Sequence, residues 1–366
     1  MLESNKFAET HLFSGNIFIF HSFDVGEDIN LEKIRSSNVV IPQSITLPKY
    51  FKKYHIPLAI ELPNAIESPH CISAKIYNFG PISLTYKIPF TDNLDNIRKN
   101  LEKIDNRFQE QSIIDAQEIF KRISNMILNP KFFQMSSSYV IIQVDPEPEN
   151  IDTVQLKENF GPVIASTLRF ETENLSEFQK NEILASAIGY FRGDLIVVDT
   201  EASFIYDEEY KEILDFFEFA NIQQLELRYF DFVLDQQLNV IYEDKVRRVP
   251  FAAYLPFIGV KAKNPVDELG KLKVDISVIT ERLEGSIKLA GEPYFAELYS
   301  LLVDKLDLKG WQEAVNKKLS IILDVLSVLQ NKTNAIREDL LNVLIIILIF
   351  IELVVGLLNY ITGHFH

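Results

Sequence analysis

The chain has 366 residues and a mass of 42.2 kDa, which is enough for two ordinary domains or for one domain with appended helices. Its 36 Lys and Arg stand against 52 Asp and Glu, and a net charge of −16 argues against direct DNA binding, which requires a basic surface. The single cysteine, Cys71, excludes an internal disulfide framework, and no cysteine cluster is available for a structural zinc site.

Residues 1–206 are predicted to form an α+β domain with short strands and helices. Runs of β-branched and aromatic residues predict strands at 16–20, 72–77, 83–88 and 138–144, and the turn residues at 78–81 would join two of these in a hairpin. A second hairpin is predicted from 188–191 and 195–198, on either side of an ArgGlyAsp turn. Helices are expected over 92–128, with Thr91 as N-cap, and over much of 151–190, with Ser176 as N-cap.

A long amphipathic helix is predicted within 207–249. Apolar residues recur there at spacings of three and four between Ile213 and Ile241, which is the spacing of one buried helix face. Asp207 would cap the helix and place its acidic neighbours in the first turn, where the helix dipole favours negative charge.

A basic patch follows near the end of that region, at Lys245, Arg247 and Arg248. The preferred interpretation is that these basic side chains lie on a solvated surface or on a surface that contacts anionic lipid. The alternative is a contact with nucleic acid, such as ribosomal RNA.

Residues 250–339 are predicted to form a helical hairpin or coiled-coil stalk. Apolar residues alternate there in steps of three and four, as the a and d positions of a coiled coil do. One such series runs from Leu269 to Ala290, and a second runs from Val315 to Val343 through Leu319, Ile322, Leu326 and Leu329. The spacing leaves two constructions open: the helices fold back on each other within one chain, or the second pairs with its copy in another protomer.

The segment 340–361 is predicted to be one transmembrane helix. Its 22 residues contain a single ionisable side chain, Glu352, and a helix of that length spans roughly 33 Å, close to the thickness of the hydrocarbon layer. Only five residues follow Ile361, so we expect a tail-anchored, single-pass membrane protein. Lys332 and Arg337 precede the span and no Lys or Arg follows it, which predicts an N-terminal domain on the cytoplasmic or matrix-like side.

Glu352 is unusual because a charged side chain is costly at that depth in a bilayer. Three interpretations stay open: a protonated acid that the apolar span tolerates, a hydrogen bond to another span that would make it an oligomerisation contact, or part of a proton or ion pathway.

The sequence contains no P-loop, dinucleotide-binding, zinc-protease or nucleophile-elbow motif. The densest acidic stretch, which includes Asp194, Asp199 and Glu201, offers a possible divalent-metal site, although hairpin ends and a helix start explain the same residues. No cofactor or metal is therefore predicted.

The C-terminal third resembles the "required for meiotic nuclear division" family. The resemblance rests on TrpGlnGluAlaValAsnLysLysLeu, on IleIleLeuAspValLeuSerValLeuGln and on an apolar span whose Ile-Glu pair is matched by Ile351 and Glu352. The segment AlaLysIleTyrAsnPheGlyProIle at 74–82 is similar to an early strand of that family. The resemblance implies a domain of unknown function with a helical hairpin and a terminal span. Mitochondrial members are homo-oligomers of the inner membrane that support translation by the organelle ribosome.

These observations together predict a membrane-anchored, homo-oligomeric scaffold or tether, with a ribosome or another protein as partner. The alternative is a membrane-tethered, metal-dependent hydrolase. A hydrolase should bring Asp194, Asp199 or Glu201 together with a histidine in one pocket, whereas a scaffold should not.

Overall fold

The computed structural model describes residues 11–44, 56–132, 135–146, 150–191, 193–242, 270, 273–274, 276–277 and 292–363. The chain divides into two compact units. The first comprises Met1–Tyr229 and Thr280–Gln312, and the second comprises Phe230–Ile279 and Glu313–His366.

The first unit is built on an eight-stranded sheet. Its strands are β1 (Phe13–Asp24), β3 (Leu58–Ile60), β4 (Cys71–Ile76), β5 (Pro81–Asp92), β7 (Ser136–Val144), β8 (Ala187–Ile188), β9 (Leu195–Val198) and β10 (Ala202–Tyr206), while β2 (Asp28–Ile29) and β6 (Ile127–Leu128) form a separate pair. The order is β3-β4-β5-β1-β7-β10-β9-β8, and neighbours are antiparallel except for the parallel pair β7 and β10.

Helices cover both faces of this sheet. The helices are α1 (Leu31–Ser37), α2 (Leu94–Ile123), α3 (Thr153–Leu168), α4 (Glu177–Ala185), α5 (Lys211–Tyr242), α6 (Pro293–Lys305) and α7 (Leu308–Gly363). One hydrophobic core joins the sheet to α1, α2, α3 and α4, and a second joins its other face to α5 and α6. The prediction of an α+β domain followed by a long C-terminal helix is therefore confirmed.

The central strand β1 is apolar at consecutive positions because helices cover both faces of the sheet. Ile17 and Ile19 lie in the first core, and Phe18 and Phe20 lie in the second. Successive side chains of a strand point to opposite faces, so a strand covered on both sides must be apolar at consecutive positions.

The predicted hairpin of β4 and β5 is confirmed, with Ala74 opposite Leu84 and Ile76 opposite Ile82. Its turn requires glycine at Gly80, whose φ is +136° and where a Cβ atom would lie 2.4 Å from the Gly26 carbonyl oxygen. The predicted strands at 138–144 and 195–198 are confirmed as well. The partner of the second one is β8 at Ala187–Ile188 rather than a strand over 188–191.

Two predicted helix starts are wrong. Helix α2 begins at Leu94, and its cap is Asn93 rather than Thr91, because the Asn93 side chain accepts a hydrogen bond from the Asn96 N–H. Helix α5 begins at Lys211. Asp207 instead holds a tight turn by accepting a hydrogen bond of 2.8 Å from the Glu209 N–H. The predicted cap Ser176 is confirmed by its bond from the Gln179 N–H.

Candidate functional site

The apolar part of α7 is the most distinctive surface of the second unit. By length and composition α7 could cross a membrane, since its best window of 18 residues has a mean hydropathy of 3.0 and none of that window is buried. Large apolar side chains are exposed along the whole run, including Ile346 at 64% and Phe350 at 66%. Glu352 lies in the same run and is exposed among these apolar neighbours.

The predicted heptad residues of α7 behave differently from that run. Val315, Leu319, Ile322 and Leu326 are each no more than 7% exposed within a single protomer. Ile276, from the first predicted heptad series, is also buried. This part of the seam is therefore covered by the chain itself.

An ion cluster links α5 and α7 inside the second unit. The Lys318 Nζ lies 2.6 Å from a carboxylate oxygen of Asp231 and 2.7 Å from one of Asp235. These two carboxylates lie four residues apart on α5, so they share one helix face. Lys318 lies three positions after the seam residue Val315 and directly before Leu319. The ion cluster therefore flanks the buried seam.

Several predicted site residues lie outside the described residues. They are the basic patch Lys245, Arg247 and Arg248, the side chain of Leu329, and the rest of the first heptad series.

The acidic side chains that suggested a metal site do not come together in the folded chain. Asp199 is fully buried and is ion-paired with Arg169, with one Nη2–Oδ1 distance of 3.2 Å, and with the Lys305 Nζ at 3.8 Å. Asp194 accepts a hydrogen bond from the Phe191 N–H at the β8–β9 hairpin. Across the described ranges, no three His, Cys, Asp or Glu side chains converge in a way that could hold a metal ion.

A buried polar layer lies between part of α5 and the sheet, beside the second hydrophobic core. The Lys75 Nζ on β4 lies 2.6 Å from the Glu218 Oε2 and 3.2 Å from the Asp215 Oδ1, while the Ser83 hydroxyl donates a 2.7 Å hydrogen bond to the Glu218 Oε1. Burial by itself lowers the pKa of Lys75, but the charges and hydrogen bonds of the Glu218 and Asp215 carboxylates together outweigh burial and raise that pKa above its ordinary value. Lys75 is therefore charged at neutral pH, and it holds the helix on the sheet rather than acting as a base.

A second part of the polar layer contains two neighbouring acids. Asp24 at the end of β1 and Glu226 on α5 are both buried. Burial raises the pKa of Asp24 to about 7. Burial, and then the Asp24 charge, raise the pKa of Glu226 well above its ordinary value. At least one of these carboxyl groups is protonated near neutral pH, since two neighbouring negative charges in the interior repel each other.

A cavity of about 320 Å³ opens beside α2 and β5 and includes Ser68, His70, Tyr86 and Gln111 in its wall. Behind the wall, the buried Asp115 accepts hydrogen bonds from Ser68, Tyr86 and Gln111. These donors already use the carboxylate oxygens of Asp115, so it orders the wall. Burial raises the pKa of the nearby Cys71 to about 12, which leaves a protonated and poorly nucleophilic thiol.

A larger cleft of about 600 Å³ lies in the first unit, at the end of the sheet where β7 begins and β10 begins. Its lining includes Ser137, Ser138 and Thr200. Helix α2 contributes Glu102 and Asp105 to the wall, and the turn before β10 contributes Glu201. The acidic wall therefore comes from α2, on one face of the sheet, and from the turn that leads into β10.

The facing wall of the cleft is supplied by α5, α6 and the start of α7. It carries the cations Arg228 and Lys305, together with Trp311 and the acid Asp307. In the described ranges, no carboxylate lies within ion-pair distance of Arg228, whereas Lys305 has Asp199. The cleft thus brings opposite charges into one volume from the two helical layers.

Asp105 is the least satisfied acid of the cleft. Its Oδ1 and the Ser138 Oγ are both buried and have no hydrogen bond of standard geometry among the described atoms. Burial raises the pKa of Asp105 to about 6; the nearby Ser138 hydroxyl opposes this rise, and the Glu201 carboxylate adds to it. Backbone strain lies beside these groups, because Phe170 and Asp307 line the cleft with φ values of 56° and 51°.

Sequence reasoning did not identify this cleft, because its residues are scattered between positions 102 and 311. No motif links them, and only the sheet order and the return of α6 to the sheet bring them together. The one residue shared with the sequence predictions is Glu201, which lies in the cleft wall without a histidine beside it.

Comparison with known proteins identifies a family and a relative of this chain. A family model described as "Uncharacterized protein MJ0711, N-terminal domain" matches residues 14–212. The uncharacterized protein MJ0711 of Methanocaldococcus jannaschii is 27% identical over 259 residues, which cover 68% of this chain and 76% of that protein. No solved structure matches the chain.

The proposed membership of the "required for meiotic nuclear division" family is wrong, because the matching family model is a different one and covers the N-terminal part of the chain. The resemblance depended on an amphipathic helix followed by an apolar span with one acid. Helix periodicity and membrane insertion impose that pattern on unrelated chains as well. The ribosome as a partner rested on the same resemblance and is not carried forward.

Proposed function

We propose that this chain, which belongs to the family of the MJ0711 N-terminal domain, is a membrane-anchored protein whose helix α7 holds the folded α+β unit at a bilayer. The observation that carries the proposal is the exposure of a continuous apolar run on α7, with none of its most apolar window buried. Soluble proteins rarely expose apolar patches of more than a few hundred Å². A lipid environment removes that cost and matches the length of the run.

The alternative, a core helix of a soluble protein, requires the run to be covered by the rest of the chain. A buried helix that is apolar on every face would lie in the centre of a large core. The described part of α7 instead separates into a buried segment, with Val315 and Ile322, and an exposed segment from Leu341 to Tyr360. This separation supports an anchor that continues from a packed helix.

The orientation follows from the positive charges beside the run. Lys332 and Arg337 are exposed on α7 just before it. Because positively charged flanks stay on the cytoplasmic side, we place the α+β unit on that side.

Self-association through the membrane segment is the second part of the proposal. Since the chain itself covers Leu319 and Leu326, these residues are unsuitable as the main contact between protomers. Glu352 supports such a contact, because a carboxyl group in lipid gains from a hydrogen bond to another span. A protein that oligomerises through its anchor and carries a folded unit would act as a scaffold at the membrane.

Fractionation tests the anchor. We expect full-length protein to stay with membranes after an alkaline wash, and a chain lacking residues 340–366 to be released. As a finer variant, Ile346→Lys combined with Phe350→Lys keeps the length but adds about 2.5–3.5 kcal/mol per charge to insertion. The matched control places the same two lysines at Asn331 and Asn334, outside the apolar run. Retention of the truncated chain in the pellet would refute the anchor.

A further inference from the structure

The larger cleft of the first unit has the size and composition of a small-molecule site. Its volume of about 600 Å³ falls within the range of roughly 300–1,000 Å³ that is usual for ligand pockets. Apolar side chains such as Phe170, Leu306 and Trp311 share its lining with polar groups. Nothing in the membrane anchoring proposed above makes use of this cleft.

Three groups in the cleft lack the full set of partners that their chemistry calls for. The Asp105 Oδ1 and the Ser138 Oγ are buried; the Ser138 hydroxyl interacts with the Asp105 carboxyl group, and neither atom has a hydrogen bond of standard geometry in the described part of the chain. Arg228 has no carboxylate within ion-pair distance in the part of the chain that the structure describes, although acids line the same cleft. Buried polar groups are almost always hydrogen-bonded, so unsatisfied groups in a cavity indicate a ligand that completes them.

The charges are arranged by element. Glu102, Asp105 and Glu201 come from α2 and the turn before β10, whereas Arg228 and Lys305 come from the helices that cover the other face, where Asp307 is the one acid of the described lining. A simple anion would satisfy Arg228 and leave Asp105 beside Glu201 unpaired. A simple amine would do the reverse. A molecule with an ammonium group at one end and a carboxylate at the other would satisfy both walls.

We propose that this cleft binds a small zwitterion of the amino-acid class, with its ammonium group on Asp105, Ser138 and Glu201 and its carboxylate on Arg228. Trp311 and Phe170 cover the carbon chain between the two charged ends. Lys305 adds positive charge on the carboxylate side, although Asp199 already shares it.

The experiment uses full-length protein in a mild detergent and the fluorescence of Trp311, which is the only tryptophan of the chain. Probes are the common L-amino acids and a graded series from glycine through β-alanine and γ-aminobutyrate to ε-aminocaproate. Butylamine and butyrate each carry one of the two charges and serve as matched controls. We expect saturable changes in emission with at least one zwitterion, and weaker or absent changes with the two controls.

Two variants separate the ends of the ligand. Asp105→Asn and Arg228→Gln nearly preserve size, and each should weaken binding of the same zwitterion by at least about tenfold, because each removes a charge-assisted hydrogen bond. Glu110→Gln and Arg35→Gln, which change exposed residues outside the cleft, should leave it unchanged. Circular dichroism establishes that each variant is folded, and calorimetry checks each affinity independently of the fluorophore.

The outcomes are distinguishable. Loss of affinity in both cleft variants with retention in both controls supports the proposal. Loss in Asp105→Asn alone would mean an amine site, and loss in Arg228→Gln alone would mean an anion site; either result overturns the zwitterion. Absence of binding by every probe at millimolar concentration overturns it too.

Discussion

The Nζ of Lys75 lies 2.6 Å from the Oε2 of Glu218, and this contact joins β4 to α5 in a place where both side chains are nearly inaccessible to solvent. Asp215 and Ser83 complete the cluster. A charge pair of this kind stabilises a fold only while both partners are present, because either one alone would be a buried, unpaired ion.

Lys75→Met should therefore destabilise the first unit by about 3–5 kcal/mol, since it strands the Glu218 carboxylate in the interior. Thermal unfolding followed by circular dichroism measures the loss. Lys309→Met is the control: it breaks the exposed pair with Asp304, which is worth about 0–1 kcal/mol. Combining Lys75→Met with Glu218→Leu should recover much of the loss, and equal melting temperatures for the two single variants would contradict this role.

The buried acids Asp24 and Glu226 make a prediction about pH. The pKa of Asp24 is about 7 in the folded chain and 3.8 in its ordinary state, so the folded form holds the proton more tightly. Stability is then fully present below the ordinary value and falls as pH rises through about 7. Asp24→Asn should make the unfolding temperature less dependent on pH between about 4 and 7, and should stabilise the protein above about pH 7.

The control for this prediction is Asp28→Asn, which changes an exposed acid on β2. This variant should show the same dependence of unfolding temperature on pH as the wild-type protein. A profile that is identical for wild type and Asp24→Asn would show that the Asp24 carboxyl does not govern the loss of stability.

The strands and long helices could be predicted because their signals are local. Burial on a sheet face produces the apolar runs in the sequences of β4, β5 and β7. Burial on one helix face produces the three- and four-residue spacing in α5. β10 was missed, because Ala202–Tyr206 is short and lies directly before the acidic turn that resembled a helix start. Asp207 could serve as a cap in either setting, and only the turn geometry decides between them.

The cleft and the polar layer could not be predicted, since both depend on pairing across the fold. Lys75 and Glu218 are 143 positions apart, and each looks like an ordinary surface charge in the sequence. The heptad spacing likewise identified Val315 and Leu319 as seam residues, but spacing carries no information about whether the partner helix belongs to the same chain.

The buried seam predicts where α7 can be altered. Leu326→Ala and Ile322→Ala should each lower the unfolding free energy by about 2–5 kcal/mol, because they leave cavities in a packed contact. Val328→Ala, at a position that is 64% exposed, should have little effect. Light scattering in detergent should show an unchanged particle size for all three. A smaller particle for the seam variants alone would place the seam between protomers.

Glu352 makes a prediction about assembly. If its carboxyl group bonds to another span, Glu352→Leu should reduce crosslinking between protomers in membranes, whereas Glu352→Gln keeps hydrogen-bonding capacity and should preserve it. The reduction should be partial, because interhelical bonds in membranes contribute only about 0.6–2 kcal/mol. Equal crosslinking yields for wild type and both variants would remove Glu352 from the protomer contact.

The membrane span itself is tested most directly by cysteine labelling along α7. Cys71 is the only cysteine of the chain, so Cys71→Ser gives a background in which single cysteines at Lys332, Ile346, Phe350 and Val354 can be introduced one at a time. In sealed vesicles with the α+β unit outside, a membrane-impermeant maleimide should label the cysteine at Lys332 and spare the other three, because hydrocarbon excludes both the reagent and the thiolate. Detergent addition with denaturant should make all four reactive. Labelling of the three inner positions in intact vesicles at the same rate as the position of Lys332 would contradict a transmembrane α7.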